Sequence, residues 1–205
     1  MLEAVISILL GYLLGTLNPA AAIGAIKETN LRECGTKNLG ATNVTLTFGV
    51  THGIVVMLID MLKAFVSVKA AKLLFPHLTA AGLLAGCGCV FGHIFPIFLR
   101  FKGGKGLAAF GGMVLALDHV LFLILLGVGI VMILITDYAV SLTFSAVSLA
   151  PYLMLLRQHS FATFTIVMVA SGIVLYKHWE NALKIKNGTE MKVSAYLKEH
   201  KKKDL

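Results

Sequence analysis

The sequence predicts an all-α integral membrane protein, on three observations. Of 205 residues, 58% are hydrophobic and only 14% are charged, against about 25% charged in an ordinary soluble domain. Mean hydropathy is +0.86. The apolar residues also gather in runs close to the ~20 residues that a helix needs to cross a bilayer.

Taken in order, the runs predict seven transmembrane helices, some short or tilted, near 3–25, 53–75, 80–99, 107–117, 119–136, 139–156 and 160–176. The first begins at Leu2, holds Glu3 and reaches Ile26. It lacks a basic start and exceeds a signal-peptide core, so it reads as a retained span. The second carries Asp60 and Lys63, whose i,i+3 spacing lets each neutralise the other. An intramembrane ionisable residue is otherwise a functional candidate. In the third, Cys87 and Cys89 at i,i+2 do not face one another. With Cys34 in a loop, the three thiols read as reduced packing residues. The stretch 107–136 is too long for one helix, and Asp118 with His119 divides it into two; undivided, it would leave six spans.

Seven spans put 26–52, 100–106, 137–138 and 177–205 on one side, and these segments hold most of the Lys and Arg residues. By the positive-inside rule that side is cytoplasmic. The N-terminus is then extracytoplasmic and the C-terminus cytoplasmic. Residues 1–190 read as a single polytopic membrane domain and 191–205 as a basic cytoplasmic tail. The net charge of +8 reads as membrane orientation. The chain offers no soluble face for a nucleic acid, so none is expected as a partner.

Four polar segments fall on the cytoplasmic side. "ECGTKNLGATNV", Glu33–Val44, crowds glycine, asparagine and threonine between apolar helices. Glycine lets backbone N–H groups turn toward an anion. Thr36, Asn38, Thr42 and Asn43 add side-chain donors, Gly40 a flexible backbone and Lys37 a charge. An ordinary turn would use many of the same residues.

"GHIFPIFLRFKGGKG", Gly92–Gly106, ends with Lys102 and Lys105 flanking Gly103 and Gly104, just before a helix. A helix N-terminus beside lysines suits phosphate. It is not a Walker A loop, which would need glycine at Leu99 and Ser or Thr at Gly106. A basic anchor for lipid headgroups is the plainer reading of such a loop taken alone. His93 reads as an interfacial residue or a brace for the loop.

Ser141 lies just inside the next helix, where a serine often bonds only to its own backbone. In "YKHWENALKIKNGTE", Tyr176–Glu190, His178 and Asn181 share a helix face at i,i+3. A histidine there can take a proton near neutral pH, and an asparagine can orient a hydroxyl or donate to an oxyanion. No clustered Cys, His and carboxylate set suggests a metal, and no cofactor is expected.

"GTKNLGATN", "GHIFPIFLRFKGGKG" and "HWENALKIKNGTE" resemble, in order and spacing over nearly the whole chain, the three signature segments of the bacterial acyl-phosphate-dependent glycerol-3-phosphate acyltransferases, the PlsY family. That resemblance implies a seven-helix protein of the bacterial cytoplasmic (inner) membrane. It implies transfer of a fatty acyl group from acyl phosphate to the 1-hydroxyl of glycerol 3-phosphate, giving lysophosphatidic acid and phosphate for phospholipid synthesis. Its expected partners are those two substrates and membrane lipids.

The chain departs from the family pattern in several places. Thr36 and Lys37 replace Ser and Gly, Leu46 stands where an arginine is common, and Lys184 replaces another arginine. Asp137 changes the charge before Ser141.

With the resemblance, Thr36, Asn38, Gly40, Thr42, Asn43, Lys102, Gly103, Gly104, Lys105 and Ser141 are expected to bind phosphate, and His178 and Asn181 to act on the attacking hydroxyl and the oxyanion. His178 is the candidate base; a phosphate oxygen of the donor is the alternative. A paralogue with another acceptor, or a transporter or binding protein for an organic phosphate, would use the same loops.

Overall fold

The structure is a computed structural model that describes residues 1–201, with side chains through Lys198. The end of the expected basic tail, 202–205, lies outside the described residues. The chain divides into two compact units, Met1–His119 and Val120–Leu205.

In the first unit, α1 (Leu2–Thr16) and α2 (Pro19–Ile26) fill the first apolar run. The run was expected as one helix. Asn18 breaks it: its side chain accepts from the Ala21 N–H to cap α2, and Pro19 fits the first helical position. A short helix, α3 (Ala41–Phe48), then forms inside a segment expected to be loop. Gly49 separates it from α4 (Val50–Leu74), whose 25 residues span about 37 Å. Next come α5 (Ala81–Ile94), a 3-10 turn at Ile97–Leu99, and α6 (Leu107–Leu117). The expected break follows α6, with extended backbone at Asp118.

The second unit holds α7 (His119–Thr136), α8 (Val140–Gln158) and α9 (Phe161–Lys177). Two amphipathic helices follow, α10 (Trp179–Lys186) and α11 (Val193–Lys201). Among the described residues, four helical stretches are long and apolar enough to cross a membrane: Leu2–Ile26, Ala81–Leu99, His119–Thr136 and Val140–Gln158. The pair α9 and α10, bent by 46°, makes a fifth if counted as one span. α4 has the length but carries Asp60, Lys63, Lys69 and Lys72.

Glycine decides how α1 meets α5. A Cβ on Gly11 would collide with the carbonyl of Ala85, and one on Gly15 with that of Cys89. Reciprocally, Gly88 abuts the carbonyl of Ile8 and Gly92 that of Tyr12. Lipid tails are as apolar as leucine, so membrane helices associate through such close backbone approach. The Tyr12 hydroxyl donates to the Phe95 carbonyl at 2.9 Å and fixes the end of α5. Gly11→Val should therefore destabilise the protein by about 3 kcal/mol. Gly172→Ala, where nothing lies within 4 Å, should be neutral or gain about 1 kcal/mol. Thermal unfolding in detergent compares the two; equal melting temperatures would contradict the packing.

In the second unit, Asp137 pins α11. Its carboxylate accepts from the Ser194 N–H (2.9 Å) and hydroxyl, and its carbonyl accepts from the Val193 N–H (2.9 Å). The Ser194 bonds hold the Asp137 carboxyl below the usual carboxylate range, with Lys192 and Lys198 helping. A depressed folded-state pKa gives a contribution that is full above the ordinary value of about 4 and lost as pH falls through the folded value. A spin label at Leu197 should stay immobile from pH 7 to about 5 and gain mobility in more acid solution. In Asp137→Ala it should be mobile at every pH.

Candidate active site

The first signature segment is built on apolar anchors. Leu31, Leu39 and Val44 are buried with Ala20 and Val56, and Leu99 of the second segment packs against them. Asn43 is fully buried. Its Oδ1 accepts from the Thr36 N–H (2.8 Å), and its Nδ2 donates to the Leu31 carbonyl (2.7 Å). Both ends of the amide hold the loop, so Asn43 shapes it from within. Gly35, at φ +51, leaves the room that Asn43 Oδ1 occupies. Thr36, Lys37 and Thr42 are exposed, and Asn38 and Gly40 half-buried. Leu46 is half-buried on α3.

The second segment folds back on the end of α5. The Gly103 N–H donates to the Ile94 carbonyl and the Gly104 N–H to the His93 carbonyl, each at 3.1 Å. A side chain on Gly103 would meet the His93 carbonyl; one on Gly104 would meet His93 Nε2 and the Leu39 carbonyl. Gly106, at φ +90, turns the chain into α6. Arg32 crosses from the first segment, its Nη2 donating to the carbonyls of Leu99 (3.0 Å) and Lys102 (2.8 Å). Lys102 is exposed and Lys105 half-buried. The two expected loops are thus brought together, with lysines beside the unpaired amides that open any helix.

Within the second unit, Ser141 is buried in the first turn of α8, its Oγ 2.6 Å from Thr136 Oγ1. The Thr136 hydroxyl donates to the Met132 carbonyl (2.7 Å), so Ser141 is the donor between them. His178 was expected on a helix face with Asn181. It lies instead at the junction of α9 and α10, where the chain bends. It is buried, and its Nδ1 sits 2.8 Å from the Val174 carbonyl. A carbonyl only accepts, so Nδ1 carries the hydrogen and Nε2 is the basic nitrogen of the neutral ring. Asn181 donates its N–H to the His178 carbonyl (2.9 Å) and its Nδ2 to Glu190 Oε1 (2.7 Å).

Sequence reasoning did not single out Asn18, Arg32 and Glu190, and it left Asp60 and Lys63 as either a mutually neutralising pair or a functional candidate. Glu190 closes the third segment, and its place there is the one signal that pointed to it. Arg32 gave none, because its partners lie 67 and 70 residues away; Asn18 gave only the local sign of a cap before proline, its Leu39 partner lying 21 residues on. Among the described residues, no group of three or more His, Cys, Asp or Glu side chains is placed to hold a metal ion.

Fold and site define an integral membrane protein whose glycine- and lysine-rich loop opens a helix. The family model described as glycerol-3-phosphate acyltransferase matches residues 5–188, and the chain belongs to that family. It is 35% identical over 187 residues to a glycerol-3-phosphate acyltransferase of Bacillus velezensis, covering 91% of this chain and 95% of that one. A Bacillus subtilis relative of the same description is 36% identical over the same shares. The crystal structure of PlsY, an integral membrane glycerol 3-phosphate acyltransferase, superposes in its glycerol 3-phosphate form with a TM-score of 0.86 and 29% identity, covering 92% of this chain and 94% of that one. Its lysophosphatidic acid form gives 0.83 and 28% over the same shares.

Proposed function

We propose that the protein transfers a fatty acyl group from acyl phosphate to the 1-hydroxyl of glycerol 3-phosphate, releasing phosphate and lysophosphatidic acid. The observation that carries this reading is the Phe101–Gly106 loop, folded onto the first signature segment at the start of α6, in a chain of this family. The donor is a mixed anhydride and already activated. The acceptor oxygen attacks the acyl carbon, the carbon–oxygen bond to phosphate breaks, and the hydroxyl proton must leave.

Two phosphorylated substrates repel each other, so a basic site is needed. Lys102 and Lys105, the Gly103–Gly104 backbone, Gly40, Thr36, Asn38 and Thr42 are assigned to phosphate. Asn43 serves phosphate through the shape of its loop. Ser141, with a hydroxyl set by Thr136, is assigned to positioning. His178 Nε2 is assigned to the acceptor hydroxyl and Asn181 to orienting it, with Glu190 holding Asn181. Most of the rate gain would come from proximity and electrostatics.

The same reading takes 1–190 as one polytopic domain of seven spans in a bacterial cytoplasmic membrane, N-terminus outside, C-terminus and basic tail inside. The span count is supported by helices at each of the seven expected stretches. The sidedness is supported by the clustering of Lys and Arg in one set of loops.

The test is to mix purified protein in detergent with palmitoyl phosphate and glycerol 3-phosphate, then measure both products. Phosphate and lysophosphatidic acid in equal amounts support the reading. Phosphate alone would mean that the acyl group goes to water or to another acceptor; for the latter, exposed Lys37 and apolar Leu46 would be the first guide.

A further inference from the structure

Asp60, Lys63 and His93 are 2%, 7% and 3% exposed. Three ionisable groups are thus buried together in the first unit. Burying them is costly, and apolar residues of the same shape often stabilise a fold as well or better. Their geometry suggests a use beyond stability. Lys63 Nζ lies 2.7 Å from Asp60 Oδ1 and 2.9 Å from His93 Nδ1. It also donates to the carbonyls of Gly15 (3.0 Å) and Leu17 (2.6 Å). Those carbonyls close α1, where the break at Asn18 ends the helical ladder. His93 Nδ1 lies 3.2 Å from Asp60 Oδ1.

The other edge of the His93 ring reaches the signature loops. Nε2 lies directly beneath Gly104, and the Leu39 carbonyl forms a second wall there. That carbonyl also accepts from Asn18 Nδ2 at 3.3 Å. Contacts therefore run from the α1–α2 break through α4 and α5 to both loops.

We propose that Asp60, Lys63 and His93 are positioning residues that set the Gly103–Lys105 backbone at the spacing from Leu39 that a phosphate group requires. The role rests on the acyl-transfer reading above.

The test is the variant Asp60→Leu/Lys63→Met, which removes both charges and leaves neither unpaired. It should remain folded, with a melting temperature within a few degrees of wild type. Amide exchange at 103–106 should quicken at least tenfold. The KM for glycerol 3-phosphate or acyl phosphate should rise at least tenfold, while kcat changes less than threefold. If this variant does not fold, His93→Asn decides by the same measurements: it keeps the ion pair and empties the space under Gly104. His93→Gln, reaching about as far as Nε2, should then recover part of the loss. A folded variant with unchanged exchange, or with both KM values within twofold of wild type, overturns the proposal. Wild-type protein that makes no lysophosphatidic acid would sink the acyl-transfer reading instead, and the exchange rates would still decide whether the cluster places the loop.

Discussion

Lys105→Ala should lower kcat/KM by about 100- to 1,000-fold, the scale of losing one preorganised charge stabiliser, while Lys198→Ala stays within twofold of wild type. Both lysines carry the same charge, so net charge cannot separate them. Lys105 is half-buried one residue before Gly106 opens α6, in a loop held by the His93 and Ile94 carbonyls and by Arg32. A lysine carried on that held backbone has less of the chain to order before it meets a phosphate. Lys198 is exposed on α11, where water and salt screen it. Steady-state assays with palmitoyl phosphate and glycerol 3-phosphate read the difference. Equal losses would remove the Phe101–Gly106 loop from the site.

His178→Ala should lower kcat by about 100- to 10,000-fold, the range for a positioned general base, and leave both KM values within threefold. The Val174 carbonyl fixes Nδ1 as the donor and leaves Nε2 as the nitrogen that can take a proton. Burial at the α9–α10 bend holds the ring in place. Single-turnover measurements separate this chemical step from product release. A loss below tenfold would assign the hydroxyl proton to a phosphate oxygen of the donor and leave His178 a structural part of the bend.

Much of this was legible in the sequence because its causes are local. Unbroken apolar runs report a bilayer whatever the tertiary arrangement. Asp118 interrupts one run, and α6 and α7 part at that residue. The loop before α6 was readable because Gly103 and Gly104 sit where a side chain would collide and Gly106 turns the chain at φ +90. The break at Asn18 was also written locally, as a cap followed by proline, but the strong hydropathy around it hid the signal. The short amphipathic helices α3 and α11 fell below the length at which a hydropathy pattern stands out.

By itself, the sequence determined the membrane class, the break at Asp118, and the three polar segments that carry the family resemblance. Only the tertiary structure decided what each polar side chain touches. Asn43 looked like one more phosphate donor, yet both ends of its amide are taken by the loop's own backbone. Asp60 and Lys63 looked able to neutralise each other, yet Lys63 also reaches the end of α1 and His93 reaches Gly104. Those partners are brought close by the glycine faces of α1 and α5. Contacts between residues 30 or 48 positions apart follow from how tightly two helices pack, and no local periodicity records that.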